Sequence, residues 1–401
     1  MMRIRLNRTS QLVLVSAASL LAAGLVTACS TLTVDLVYVT SAQSAGATSY
    51  GEVDVFEINS ESGRMRQIPT SPFPSGGRNP VAEAASSDST NLYVVNRDDN
   101  SIVQFVVGND GKLYPQNTYN TPGVFPMAVN VTGNYLYVLD TYQPLPSCSP
   151  ATPCSGSIAA FPVNKDDSLA TPVTNTSLSS EYWPLTLPSN PTDVMTPTAV
   201  TTAAAGAYVY VTTYDSTAGG GYIFGFTVNS DGTLAPMNGG VPFAAGTLPS
   251  AIVADPSGNY VYVTDKATNR VLTYQLNNGQ LSLMSNPAST GNAPSAMVVD
   301  ATGKYAYVAN SQDSNLTAYT VSNGVLSSIG TFTTGLQPVA IGIDPSLNQY
   351  LFTANYLDNS VSGFQINATD GTLLNSQFSP SKANPLPTAV AAIPHGTLKK
   401  Q

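Results

Sequence analysis

Six copies of one motif set the terms for any fold this chain can take. Pro249 to Asp265 reads PSAIVADPSGNYVYVTD, and Pro294 to Asn310 repeats it as PSAMVVDATGKYAYVAN. Further copies begin at Pro80, Pro126, Pro197 and Pro338, so the leading prolines recur near every 45 residues, with a large insertion before Pro197. A fixed period of this length belongs to a repeat architecture. Each copy is followed by an alternating stretch such as RVLTYQL at Arg270 to Leu276, a tight turn such as Asn277-Asn278-Gly279, and a weaker strand beginning at Leu281. Alternation of period two with Asn-Gly, Asp-Gly or Ser-Gly corners is a hairpin signature. Four strands in about 45 residues is the size of one β-propeller blade.

The ends supply a seventh unit. LVYVT at Leu36 to Thr40 is a second strand without its proline strand, and PTAVAAIP at Pro387 to Pro394 is a proline strand with nothing after it. Joined, they make one blade, so the expectation is an all-β, seven-bladed propeller over 35–394, closed by pairing N-terminal and C-terminal strands and left with no open edge. Composition agrees, because 31 glycines and 29 prolines are too many for a helical bundle and 21 tyrosines suit strands. A single tryptophan, Trp183, leaves no Trp-Asp dipeptide for a WD40 blade.

Before the repeats, Arg3, Arg5 and Arg8 precede an apolar run from Leu12 to Val26. Its charge and length are those of an export signal. The run ends in Val26-Thr27-Ala28-Cys29, which resembles the lipobox of bacterial lipoproteins. The resemblance implies a signal peptide over 1–28, acylation of Cys29 as the membrane anchor, a tether over 29–34 and a tail over 395–401. An ordinary cleaved signal or an uncleaved anchor is the alternative. Ser30 after the cysteine points by the same resemblance to the outer membrane of the cell envelope. Outside the cytoplasm, Cys148 and Cys154 in a proline-rich loop are expected to form a disulfide. The one histidine, His395, leaves structural zinc without ligands, so neither metal nor cofactor is expected. A net charge of −9, more negative once the three arginines of the leader are set aside, would repel phosphate backbones and excludes nucleic acid as a partner. The closed ring is expected to be a monomer.

The units YVYVT at Tyr260 to Thr264 and YAYVAN at Tyr305 to Asn310 resemble the YVTN-type repeats of the seven-bladed propeller family that includes the 6-phosphogluconolactonase-like lactonases. The resemblance covers nearly all of the mature chain and implies, besides the fold, a lactone-opening hydrolase.

Long insertions lie on one face, at Ser41 to Tyr50, Thr141 to Ser155, Thr176 to Met195 and Tyr214 to Gly221, which places the functional mouth there. The groups ending the second strands, Asn96, Arg97, Asp98, Asp140, Asp265, Asn310 and Asn355, form a candidate ligand ring on that face. Turn capping is the competing role of Asn and Asp in such places. Arg97 and Arg270 stand out as cations on an acidic body; either could hold an anion or pair with a neighbouring aspartate. Glu83 is the most informative residue. It is third after its leading proline, where the other copies carry Val129, Val200, Ile252, Met297, Ile341 and Val390. Burial would raise the pKa of a carboxyl there and suit it to acid–base work, with Arg97 as its electrophilic partner. A place in a wet channel or a structural pairing is the alternative. The reading as a whole favours an envelope-tethered binding module for a glycan, peptide or envelope protein, with Tyr142, Tyr182, Trp183 and Tyr214 available to stack on sugars. A sugar lactonase is the alternative.

Overall fold

The computed structural model describes residues 33–42, 50–345 and 347–395. The leader, Cys29, most of the tether, most of the first insertion and the last six residues of the tail lie outside them.

Seven antiparallel sheets make up the described residues, three of four strands and four in which the third strand pairs with two short outer segments, giving five. In blade 5 the order from the axis outward is Pro249–Ala254, Tyr260–Asp265, Arg270–Asn277 and Gln280–Leu283, and the other blades follow the same plan. Blade 1 is closed as expected. Its innermost strand is the C-terminal Pro387–Pro394, paired with Thr33–Ser41 in a register running from Asp35 opposite Pro394 to Ser41 opposite Pro387. Blade 3 departs most from the plan. Its fourth strand is only Trp183–Pro184, supplied by the insertion expected to be a mouth loop, and Trp183 is buried there in the core between blades 3 and 4. The indole therefore packs the scaffold and is not offered to a sugar, whereas Tyr142, Tyr182 and Tyr214 are half-buried. In the Thr141 to Ser155 connection Cys148 and Cys154 form the disulfide, with Cα atoms 5.5 Å apart.

The core consists of hydrophobic clusters, each shared by two neighbouring blades, as in the cluster joining Tyr38, Val53 and Ile393 of blade 1 to Leu92, Val94 and Phe105 of blade 2. In four blades the fully buried tyrosine of the second strand shows why the repeat uses that residue, whereas Phe352 stands in its place in blade 7. Its ring fills the gap between blades and its hydroxyl donates to a turn carbonyl of the next blade: Tyr38 to Gly111 at 3.1 Å, Tyr93 to Asp167 at 2.6 Å, Tyr210 to Gly279 at 2.8 Å and Tyr307 to Gly371 at 3.0 Å. Phenylalanine would fill the same space and leave the carbonyl unpaired. Around the channel, hydroxyls beside the leading prolines lace blades together. Ser250 donates to the Pro294 carbonyl at 2.6 Å, Ser295 to Pro338 at 2.7 Å and Thr388 to Pro80 at 2.9 Å.

Candidate active site at the channel mouth

Each second strand ends at the mouth, and strand pleating decides which of its last residues can meet a ligand. Successive side chains point to opposite sides, so a shift of one residue exchanges buried for accessible. Asn96, Asp140, Asp265, Asn310 and Asn355 all point into the protein and are at most 1 % exposed. They lie under the loop that enters the leading proline of their own blade. Asp265 accepts from the Thr247 and Leu248 amides at 3.0 Å each, from the Ala267 amide at 3.1 Å and from the Thr268 hydroxyl at 2.8 Å. Asn310 and Asn355 spend their amide donors on Asn315 and Thr317, and on Ser360 and Ser362. A glycine lies against each of the five: a β-carbon on Gly77, Gly123, Gly246, Gly291 or Gly335 would come within 2.4 to 2.8 Å of the side chain beneath it. The residues expected to ring the mouth are thus turned into the fasteners beneath it.

The next position along faces the mouth. Arg97, Thr141, Tyr214 and Lys266 each follow a buried residue, Asn96, Asp140, Thr213 or Asp265, at or near the end of a second strand, and all four line one cleft of about 620 Å³ spanning blades 2 to 5. Thr196, Thr198 and Ser250 add hydroxyls, and Met127, Leu248 and the leading prolines Pro197 and Pro249 give it an apolar floor. No acidic side chain lines it. Met127, Thr198 and Ser250 are the extra residues of the β-bulges that follow the leading prolines. Bulges of this kind re-aim side chains beside sites.

Arg97 is half-buried, and its guanidinium lies 5.0 Å from the centre of the Phe125 ring. The acids close to it in sequence are engaged elsewhere. Asp99 forms a salt bridge with Arg78 at 2.5 Å, and the exposed Asp98 accepts from Asn79 at 3.3 Å. Neither Arg97 nor Lys266 forms an ion pair among the described residues. Arg270 is exposed at the start of a third strand, outside the cleft. Lys266 and Phe125 are the functional candidates that sequence reasoning missed. A usable signal existed for the lysine, since Asp265-Lys266 repeats the register of Asn96-Arg97.

Glu83 is not brought to Arg97. Its stem borders the narrow channel, about 280 Å³, below the mouth. Three residues beyond Pro80, it stands about 10 Å down the strand at ~3.3 Å per residue. Its carboxyl turns into the interface with blade 1, near the amides of Ala391 and Thr40, and both oxygens are enclosed without a well-formed hydrogen bond. Burial pushes its pKa up to about 8, against the smaller lowering effect of those two amides. Burial thus favours its protonated form.

The comparisons with known proteins agree with this architecture. No curated protein sequence matches the chain. Among solved structures, the periplasmic gluconolactonase of Pseudomonas aeruginosa aligns with a TM-score of 0.65 at 18% identity, covering 89% of this chain and 99% of that one. A Bacteroides uniformis protein provisionally assigned as a 6-phosphogluconolactonase aligns with a TM-score of 0.72 at 18% identity, over 90% of this chain and 100% of its own. At such identities the likeness is one of fold. The sequence model of the family "Lactonase, 7-bladed beta-propeller" matches residues 49–143 and 237–342, half of the chain. The propeller with the cationic mouth is thus a member of the seven-bladed β-propeller lactonase family.

Proposed function

We propose that the protein is an exported, lipid-anchored lactone hydrolase that works at the mouth cleft. The observation that carries this reading is the placing of Arg97 and Lys266 in one cleft that no acid lines, on a chain of net charge −9. Family membership moves the weight from the binding module expected from the sequence to its lactonase alternative.

The chemistry follows from charge. Water adds to the lactone carbonyl carbon and releases a proton to solvent, the carbonyl oxygen becomes an oxyanion, and as the carbonyl re-forms the ring C–O bond breaks with its oxygen taking a proton from solvent; the product hydroxy acid then loses its carboxyl proton. Negative charge therefore grows on the path from neutral ester to carboxylate. Two cations fixed beside the carbonyl stabilise the transition state more than the ground state, which is the condition for raising the rate. Hydroxyls of Thr196 and Tyr214 orient the sugar. Glu83 lies too deep and too enclosed to take a proton from water in the cleft, so solvent accepts that proton.

The lack of an ionised carboxylate in the cleft favours a second reading, a module that holds a hydroxy acid, or an acidic glycan, without turning it over. One experiment separates the two. Mature protein is assayed against a panel of aldonolactones and acyl lactones, and gluconate binding is measured in parallel. Hydrolysis that falls about 10- to 100-fold in Arg97→Gln and Lys266→Gln supports the hydrolase. Gluconate binding without turnover supports the module, and neither result on any lactone or acid defeats both. The anchor has its own test, because Cys29→Ser would release the protein from the membrane fraction.

A further inference from the structure

The residue before the leading proline takes a left-handed backbone in five blades, at Asn79, Phe125, Ala293, Gln337 and Leu386, with φ between 52° and 59°. The conformation belongs to the repeat. At three of these positions an asparagine of the preceding turn accepts from the left-handed amide: Asn100 from Phe125 at 2.7 Å, Asn269 from Ala293 at 2.9 Å and Asn359 from Leu386 at 2.9 Å. Glycine or asparagine adopts such a φ most cheaply, and a bulky aromatic residue adopts it at a cost. The module therefore explains the backbone at position 125 but not the ring.

The ring has a specific neighbour. Phe125 places its face 5.0 Å from the Arg97 guanidinium, and Tyr142 meets it edge-on with centroids 6.1 Å apart at 64°. The Thr141 hydroxyl donates to the Phe125 carbonyl at 2.7 Å, which fixes the peptide carrying the ring. An aromatic face differs from a carboxylate in one respect that matters here. It holds the flat guanidinium in place and leaves both its charge and its edge N–H groups available to an incoming anion. Arg78, on the same blade, shows the contrasting case, in which Asp99 takes up the charge.

We propose that Phe125 is a positioning residue that, through Arg97, sets the affinity of the mouth for the anionic group of its ligand. This rests on the proposed reading of the mouth as the site that holds the lactone or its acid. The test uses Phe125→Gly, which suits the left-handed backbone and removes only the ring, with Phe125→Tyr as the conservative control. Three measurements are made on the mature protein: calorimetric binding of gluconate and of inorganic phosphate at low salt, kcat and KM for a hydrolysed lactone, and the NMR shifts of the Arg97 side-chain protons, which the ring current displaces.

The expected result is a Kd for gluconate about 10-fold higher in Phe125→Gly, a kcat for the neutral lactone about 10-fold lower with KM within about twofold, loss of the ring-current shift, and values within about twofold of wild type in Phe125→Tyr. Equal anion affinity in wild type and Phe125→Gly, or no anion binding by either, overturns the proposal, as does a variant that loses stability alone. Phe125-dependent anion binding in a protein that hydrolyses no lactone would sink the hydrolase reading and leave this inference standing.

Discussion

Asp140 and Asp265 occupy the same place at the end of the second strand of their blades, yet the structure drives their carboxyls in opposite directions. Burial pushes Asp140 up to about 7, against the smaller lowering effects of the Thr121 hydroxyl and of the Gly123 amide at 3.0 Å, with Oδ1 unpartnered. Burial acts on Asp265 too, but the amides of Leu248, Thr247 and Ala267 and the Thr268 hydroxyl outweigh it and hold the group below the usual carboxylate range. Asp140→Asn should accordingly be neutral or stabilising at pH 8, since Asn96, Asn310 and Asn355 already fill that position. Asp265→Asn should cost about 1–3 kcal/mol, because an amide nitrogen would face donors that now meet an oxygen. Urea denaturation of the two variants measures the difference, and equal costs would contradict the assignment.

The second prediction concerns pH. Glu83 is raised from 4.5 to about 8 by burial, and Asp35 from 3.8 to about 8 by burial and then by the Asp344 carboxyl beside it. In the unfolded chain both lose their protons near their ordinary values, and in the folded chain they keep them until about pH 8. The unfolded state therefore binds fewer protons across this window, and stability falls as pH rises from about 4 to about 8. Glu83→Ile restores the apolar residue type of the other blades. It should stabilise the protein by about 1–3 kcal/mol at pH 8, less at pH 5, and flatten the pH dependence of the denaturation midpoint. A variant less stable than wild type at pH 8 would contradict this account of Glu83.

Ring closure gives a third. Thr33–Ser41 is held on its inner side by Pro387–Pro394 alone, and Tyr38, Ile393 and Val390 belong to the cores on either side of that blade. Ending the chain before Pro387 would open the seam and expose the edge of Thr33–Ser41. The truncated protein is expected to lose its cooperative thermal transition and to aggregate by light scattering. A monomer with an unchanged transition would show that the terminal pairing contributes little.

The disulfide gives a fourth. Cys148 and Cys154 close a short loop in the connection that begins at the mouth residue Thr141. Reduction should cost at most about 2 kcal/mol of stability, as expected for a loop of this length. Global melting should shift modestly, while amide exchange over the Thr141 to Ser155 connection speeds up. Collapse of the whole transition on reduction would contradict a local role.

The fold was legible in the sequence because it is written seven times. Leading prolines, YVYVT-like strands and Gly corners recur in one register, and LVYVT with PTAVAAIP completes the count. The site was legible only in part. Arg97 stood out because cations are rare here, but the ring was placed one residue early, on Asn96, Asp140, Asp265, Asn310 and Asn355. These residues recur because the fastener recurs, so repetition marked the scaffold. The mouth is made at the following position, where Arg97, Thr141, Tyr214 and Lys266 have no common residue type. Phe125 was illegible for another reason, since its meaning depends on Arg97 lying across a blade boundary, a relation of space and not of spacing. Glu83 was recognised as anomalous, but its turn into the blade 1 interface is a side-chain direction that no pattern of residues discloses.

The claim that the mouth is the reactive site is tested most directly by a crystal structure with gluconate, the product acid of gluconolactone, bound at millimolar concentration. The account predicts its carboxylate in the cleft between Arg97 and Lys266, with the sugar hydroxyls toward Thr196 and Tyr214. Gluconate seated on the opposite face or at the outer rim of the blades, with the cleft empty, would contradict it.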